Sequence, residues 1–139
     1  MLIEIERLIK RELVRDNNFI TDDISVDNYI AKLRKLACFT HIVKDDSLIA
    51  FCAYYSNDNV NKVGFISMVI VAPDYRGKGV AEVIIESALK LMKLEGMLTC
   101  NLEVRSDNVF AIKLYEKLGF KPILENNKSL GRVCMFKNI

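Results

Sequence analysis

A short basic turn constrains the fold of this chain more than any other feature. Residues 71–81, VAPDYRGKGVA, join an apolar run rich in β-branched residues to an amphipathic helix pattern. Gly77 and Gly79 allow a close approach to the backbone of this turn, and Arg76 and Lys78 add positive charge. The first N–H groups of a helix lack internal acceptors, and the helix dipole is positive there. The turn therefore predicts a strand-turn-helix unit that binds an anion such as phosphate. The alternative is an ordinary loop with solvated basic residues.

Two common nucleotide-binding motifs do not match this turn. The P-loop requires Lys-Ser or Lys-Thr after its last glycine, and here Val80 follows Gly79. The dinucleotide fingerprint requires a later glycine or alanine, where this chain has Glu82. The remaining pattern is R-x-x-G-x-A, formed by Arg76, Gly79 and Ala81.

The rest of the chain alternates between helical and extended patterns. Helical spacing of apolar residues predicts helices, and β-branched or aromatic runs bounded by turn residues predict strands. The predicted elements are helices 2–14 and 25–36, three antiparallel strands within 39–58 and 61–71, a helix at 79–95, a strand at 98–104, a helix from a Ser106 or Asp107 cap to Leu118, and two short strands around 125–129. Ser25 is the predicted N-cap of the second helix, Tyr29 belongs to the apolar stripe of that helix, and Gly96 is the predicted stop signal of the third helix. This order, α-α-β-β-β-α-β-α-β-β, predicts one α/β (α+β) domain over residues 1–139 with a mixed, mostly antiparallel central sheet flanked by helices.

Charge and composition argue against several classes of partner. The 20 basic and 18 acidic residues leave a net charge of +2, too small for binding nucleic acid or an anionic membrane by electrostatics alone. The charged start does not read as a signal peptide, and no stretch has the roughly 18 uncharged apolar residues of a membrane-spanning helix. We therefore expect a cytoplasmic protein without nucleic-acid or membrane partners.

The cysteine and histidine residues do not predict a metal site. Cys38, Cys52, Cys100 and Cys134 are scattered singly, and His41 has no histidine or cysteine near it in sequence. We interpret the cysteines as buried thiols, and we expect neither a metal nor a histidine-based catalytic triad.

A second block of sequence completes the pattern begun by the basic turn. Residues 102–108, LEVRSDN, and 111–120, AIKLYEKLGF, follow the R-x-x-G-x-A turn. Together the two blocks resemble the GNAT superfamily of N-acetyltransferases, whose motif is Arg or Gln, two residues, Gly, one residue, then Gly or Ala. The resemblance is strong over residues 63–121, and the second block is most similar to the ribosomal-protein N-terminal alanine acetyltransferases.

The resemblance implies that acetyl-coenzyme A is the co-substrate. Its pyrophosphate would lie on the turn, and its pantetheine arm along the edge of a splayed strand, with one strand N–H facing the thioester carbonyl. The cofactor-binding residues implied are Val69, Ile70 and Val71 through their backbone, Arg76, Gly77, Lys78, Gly79, Val80, Ala81 and Glu82 at the turn, and Asn108 at the pantetheine arm.

Tyr115 is the first catalytic candidate. Seven residues of helix advance by about 700°, so Asn108 and Tyr115 are expected on one helical face. The family places a tyrosine at this position close to the sulfur. A phenol, with a pKa of about 10, is protonated at neutral pH and can donate to a departing thiolate. The alternative is an aromatic ring that packs the helix against the sheet.

Glu103 is the second catalytic candidate. It alternates with Leu102 and Val104 along the strand, so it shares a face with Asn101 and Thr99 and not with the apolar residues. An amine must lose a proton before it attacks, and Glu103 resembles the catalytic glutamate of the alanine acetyltransferases. The alternative is a solvated or structural glutamate.

The acceptor is the least defined part of the prediction. The chain has no clear strand before its first helix and lacks the Arg-rich, double-tyrosine segment with which the alanine acetyltransferases grip a peptide. Our first hypothesis is a small-molecule amine, and the second is a peptide amine, at a protein N-terminus or a lysine. A non-catalytic acyl-coenzyme A binding module is the third, and a homodimer through sheet edges is possible. Four acidic residues are candidates for attracting a cationic amine: Asp16, Asp22, Asp23 and Glu125.

Overall fold

The computed structural model describes residues 1–16, 25–124 and 131–139. The elements are α1 (Leu2–Arg15), α2 (Val26–Leu36), β1 (Cys38–Lys44), β2 (Ser47–Tyr55), β3 (Val63–Val71), a short 3₁₀ helix (Pro73–Tyr75), α3 (Val80–Leu94), β4 (Thr99–Arg105), α4 (Val109–Lys117), β5 (Lys121–Pro122) and β6 (Arg132–Asn138). The predicted order of helices and strands is confirmed.

The strands form one six-stranded sheet in the order β1-β2-β3-β4-β6-β5. Only β3 and β4 are parallel among the pairs described, so the predicted mixed, mostly antiparallel sheet is confirmed. The first three strands form the expected meander, in which Asp45 and Asp46 turn β1 into β2 with φ of 50° and 60°. Such paired positive φ angles suit a two-residue hairpin turn.

Helices cover both faces of the sheet. The apolar faces of α1 and α2 pack on residues of β2 and β3 such as Phe51, Met68 and Ile70. On the opposite face, α3 and α4 enclose a second core around Cys52, Cys100 and other residues with little or no exposure. Each helix has an apolar stripe at helical spacing, so its burial against a sheet follows from the sequence pattern.

The start of α4 differs from the prediction. Asn108, and not Ser106 or Asp107, is the N-cap, because its Oδ1 accepts a hydrogen bond of 3.1 Å from the Ala111 N–H. The Ser106 Oγ donates instead to the Gly131 carbonyl at 2.9 Å, and Asp107 pairs with Arg105. The two strands predicted around 125–129 involve a segment outside the described residues; β5 precedes it and β6 follows it.

The two parallel strands separate toward their carboxyl ends. Their pairing runs from Val63 opposite Thr99 only to Ile66 opposite Leu102, whereas both strands continue beyond it. At the same level the register of β3 against β2 shifts, because Ala53 pairs with Met68 and Tyr54 with Ile66. Ser67 is the extra residue of this bulge, and a bulge bends its strand. The result is a gap between the ends of β3 and β4.

Candidate active site

A cavity of about 190 Å³ lies in the gap between β3 and β4. Its walls come from both separated strands, from the start of α4 and from the first two helices. The lining residues are Asp16, Tyr29, Phe65, Ile66, Ser67, Met68, Val69, Glu103, Val104, Arg105, Asn108, Ala111 and Tyr115. Five residues singled out from the sequence are therefore brought together by the fold: Asp16, Val69, Glu103, Asn108 and Tyr115.

The backbone of β3 presents polar groups to this gap. The Ala72 N–H donates to the Ile49 carbonyl of β2 at 2.7 Å, and N–H directions alternate along a strand. The Ile70 backbone therefore faces β2, while the backbone groups of Val69 and Val71 face the β4 side. The Val71 carbonyl accepts a bond of 2.8 Å from Arg76 Nε. Of the three predicted residues, Val69 lines the cavity, so its N–H is the best-placed donor.

The basic turn has the shape that phosphate binding requires. Gly77 and Gly79 have φ of +74° and +78°, a conformation that favours glycine, and nothing lies within 4 Å of a Cβ built at either position. The first bond of α3 joins the Val83 N–H to the Gly79 carbonyl at 3.4 Å. The preceding N–H groups of Val80, Ala81 and Glu82 therefore have no acceptor within the helix and can face an anion.

Two charged side chains of the turn, those of Arg76 and Glu82, form ion pairs within the protein. Lys78 Nζ lies 5.8 Å from the centroid of the Tyr75 ring. Glu82 pairs with Lys117 of α4 at 3.2 Å, which ties the start of α3 to the neighbouring helix. The Arg76 guanidinium bonds Val71 and Glu12. The attraction for an anion at this turn therefore comes mainly from backbone N–H groups and Lys78.

Tyr115 is half-buried at the cavity and contacts the core with its ring. The ring meets Phe120 edge-on, with centroids 5.7 Å apart. Burial raises the pKa of Tyr115 above that of a free phenol, and the nearby Cys52 and Cys100 thiols add to this increase. A phenol with a raised pKa keeps its proton at neutral pH, as a proton donor must.

Glu103 lies on the polar face of β4, as predicted. The side chains of Leu102 and Val104 are buried, whereas that of Glu103 is 40% exposed. Its Oε2 lies 3.2 Å from Nη1 of Arg132 on β6, and Cys134 is its cross-strand partner. The carboxylate thus reaches both the cavity and solvent, which is the position needed to accept a proton and pass it on.

The cavity wall includes three polar residues to which the sequence analysis gave no role in the site: Tyr29, Ser67 and Arg105. Tyr29 is buried on α2, where its spacing suggested a core residue, and its hydroxyl lies 2.6 Å from Ser67 Oγ. Arg105 Nη1 lies 2.9 Å from Oδ2 of Asp16, which links β4 to the end of α1. Arg105 could have been found from the sequence, because residues two positions apart on a strand share a face and Arg105 lies two residues after Glu103. Of the other acidic candidates, Asp22, Asp23 and Glu125 lie outside the described residues.

Other types of site receive no support from the described structure. Across residues 1–16, 25–124 and 131–139, no three His, Cys, Asp or Glu residues are grouped as metal ligands. Cys52 and Cys100 are buried free thiols, as interpreted from the sequence, while Cys38 and Cys134 are only half-buried. Within the same ranges, no helix is long and apolar enough to span a membrane.

The proteins similar to this chain include two curated acetyltransferases and a solved acetyltransferase structure. N-alpha-acetyltransferase 30 of Schizosaccharomyces pombe is 39% identical over 57 residues, 41% of this chain and 38% of that protein. The ribosomal protein bS18 alanine N-acetyltransferase of Escherichia coli is 40% identical over 52 residues, 37% of this chain and 35% of that protein. The crystal structure of PaiA N-acetyltransferase from Thermoplasma acidophilum in complex with coenzyme A has a TM-score of 0.75 at 18% identity, covering 99% of this chain and 92% of that one.

These comparisons confirm the resemblance noted from the motifs. The matched stretches span well under half of the length of the two curated relatives. The structural likeness covers nearly the whole chain and supports the same fold. A model of the acetyltransferase (GNAT) family matches residues 3–120. The chain therefore belongs to the GNAT family of acetyltransferases.

Proposed function

We propose that this protein transfers an acetyl group from acetyl-coenzyme A to a primary amine by direct attack. The observation that carries the proposal is that Tyr115 and Glu103 line a single cavity between β3 and β4. A proton donor for the leaving group and a proton acceptor for the amine are thus available in the same place. Membership of the GNAT family supports the choice of acyl donor.

The donor site consists mainly of backbone groups. The N–H groups at the start of α3 and Lys78 bind the pyrophosphate, and the left-handed glycines keep side chains out of its way. The Val69 N–H faces the gap and donates to the thioester carbonyl as negative charge develops there. One such donor contributes on the order of 3 kcal/mol to transition-state stabilisation. Asn108 borders the pantetheine arm, although its Oδ1 also caps α4.

Proton transfer completes the reaction. Glu103, directly or through a water molecule, accepts a proton from the acceptor ammonium and leaves a neutral amine. The amine nitrogen bonds to the carbonyl carbon, the carbon–sulfur bond breaks, and Tyr115 donates its proton to the departing sulfur. Glu103 releases its first proton to solvent and then accepts the second proton of the amine, and Tyr115 recovers a proton from solvent. Each positioned acid or base contributes about 10²- to 10⁴-fold to the rate.

The acceptor side of the cavity is polar. Asp16, Glu103 and the Tyr29–Ser67 hydroxyl pair line it. Carboxylates attract a cationic amine, and the hydroxyl groups offer hydrogen bonds beside it. The cavity of about 190 Å³ suits a small amine, our first candidate, or the first residue of a peptide. The peptide alternative is favoured by the names of the two curated relatives, an N-alpha-acetyltransferase and a ribosomal protein bS18 alanine N-acetyltransferase.

Thiol release from acetyl-coenzyme A tests the proposal. The acceptors are a panel of polyamines, amino sugars, amino acids and peptides with a free N-terminus, and the variants are Tyr115→Phe and Glu103→Gln. We expect acceptor-dependent release that falls by about 10²-fold or more in each variant. Tyr55→Phe is the control, because Tyr55 is also half-buried but lies on β2 outside the cavity lining. Tight coenzyme A binding without release for any acceptor would instead identify a binding module.

A further inference from the structure

Glu12 is a buried acidic residue that the mechanism above does not use. It lies on the inner side of α1 beside Ile5, Leu8 and Ile9, and only 9% of the residue is exposed. A carboxylate in such a position is costly unless it is paired. Its two partners are Arg15, one turn further along the same helix, and Arg76, 64 residues away in the phosphate turn.

Arg76 is held at both ends of its guanidinium group. Its Nη2 lies 2.7 Å from Glu12 Oε2, and its Nε donates to the Val71 carbonyl at 2.8 Å. Its side chain is only 30% exposed. The fork of the guanidinium thereby joins α1 to the last residue of β3. The glycine-rich turn begins at the next residue, Gly77.

We propose that Glu12 is a positioning residue for the acyl-donor site, an inference that rests on the proposed acetyl-coenzyme A activity. By fixing Arg76, Glu12 fixes where the chain leaves β3 and enters the turn. Gly77 and Gly79 have more conformational freedom to lose than other residues, so a fixed entry point lowers the entropy cost of ordering the N–H groups around a phosphate. The same contact keeps the Val71 carbonyl occupied, so it presents no repulsive oxygen to the ligand.

Removing the charge of Glu12 has two opposite effects on the affinity for coenzyme A. The direction in which the measured affinity changes therefore tests the proposal. Loss of positioning weakens binding of coenzyme A. Release of the Arg76 cation next to the turn strengthens it. We expect the first effect to dominate, because partly exposed charges contribute little in water whereas ordering a glycine-rich segment is costly.

The test measures coenzyme A binding by calorimetry, together with kcat and the KM for acetyl-coenzyme A. Glu12→Gln preserves size and one hydrogen-bond acceptor but removes the charge. We expect the Kd for coenzyme A to rise about tenfold, with kcat at saturation within twofold of wild type. Glu6→Gln is the matched control, because Glu6 lies on the same helix and pairs with Arg34 of α2. The Kd of the Glu6→Gln variant for coenzyme A should equal that of the wild type.

Repeating the Glu12→Gln substitution in the Arg76→Gln protein separates an effect on the position of Arg76 from a general loss of structure. The family motif accepts glutamine in place of Arg76, and a glutamine amide can donate to the Val71 carbonyl without needing a carboxylate. In the Arg76→Gln protein, Glu12→Gln should therefore change the Kd less than twofold. An equal loss in both backgrounds, an unchanged Kd or tighter binding in Glu12→Gln would overturn the proposal. If Glu12→Gln does not fold, Arg76→Lys replaces it, because lysine keeps the charge but offers one ammonium in place of the separate Nε and Nη2 donors. An unchanged Kd in Arg76→Lys also overturns the proposal. Absence of coenzyme A binding by the wild type would instead refute the proposed function.

Discussion

A comparison of Gly79→Ala with Gly96→Ala separates the effect of backbone strain from the effect of losing a phosphate site. Gly79 has a φ of +78°, and a Cβ built there meets nothing within 4 Å. Gly96, at the other end of α3, has a φ of +93° and the same open surroundings. Alanine at either position therefore introduces similar strain and no clash with the protein. Only Gly79 lies in the proposed pyrophosphate site.

The expected loss of stability is the same for both variants. A residue with a side chain in the left-handed region costs about 1–2 kcal/mol. Unfolding entropy of about 2.1 cal/mol/K per residue gives roughly 0.3 kcal/mol/K for 139 residues. Each variant should therefore lower the Tm by about 3–7 °C. Thermal unfolding followed by circular dichroism measures this shift.

The expected loss of ligand binding differs between them. In Gly79→Ala the added methyl group occupies the open space through which a phosphate oxygen would approach the N–H groups of α3. We expect the Kd for coenzyme A to rise at least about tenfold, equivalent to about 1.4 kcal/mol, whereas Gly96→Ala should bind like wild type. Calorimetric titration of both variants provides the comparison. Equal affinity in the two would refute the assignment of the turn as the phosphate site.

Three further predictions concern the core, the response to pH and the acceptor side. Gly64→Ala should lower the free energy of unfolding in urea by about 1–3 kcal/mol, because its Cβ would lie 2.6 Å from Sδ of the fully buried Met92; an unchanged urea midpoint would contradict this. Burial raises the pKa of Cys100 from 9.0 to about 12, so its contribution to stability is complete below pH 9 and lost between pH 9 and about 12. Urea unfolding across this range should show a shallower decline in Cys100→Ala than in wild type. Asp16→Asn removes one carboxylate partner of Arg105 and should raise the KM for the amine roughly two- to fivefold; a change in the Kd for coenzyme A instead would place Asp16 at the donor site.

The helices and strands were predictable because their signals are local. Ser25 accepts a hydrogen bond from the Asn28 N–H at the start of α2, as its position before an apolar helical pattern indicated. Gly96 follows α3 with a positive φ, as the stop signal indicated. The cap of α4 was mispredicted because three adjacent residues can all serve as caps. A contact between Ser106 and Gly131, 25 residues apart, helps to decide among them.

The candidate site was only partly predictable. Strand alternation placed Glu103 on the polar face of β4, and helical spacing placed Tyr115 near Asn108. Neither pattern indicates how far apart the two elements lie. Tyr29 illustrates the limit: its helical spacing correctly predicted burial, but its hydroxyl contacts Ser67, 38 residues away, and so forms part of the cavity wall.

The sequence by itself determined the strand-turn-helix unit and the face of the strand on which Glu103 lies, because each depends on residues close together in the chain. The left-handed conformation of Gly77 and Gly79 was seen only in the structure. Only the tertiary structure decided the separation of β3 and β4 after the bulge at Ser67. It also decided the two ion pairs at the end of α1, Glu12 with Arg76 and Asp16 with Arg105, which join residues 64 and 89 positions apart. Such contacts form when packing brings helices and strands together that are far apart in sequence. Local periodicity does not indicate which distant residues become neighbours in space.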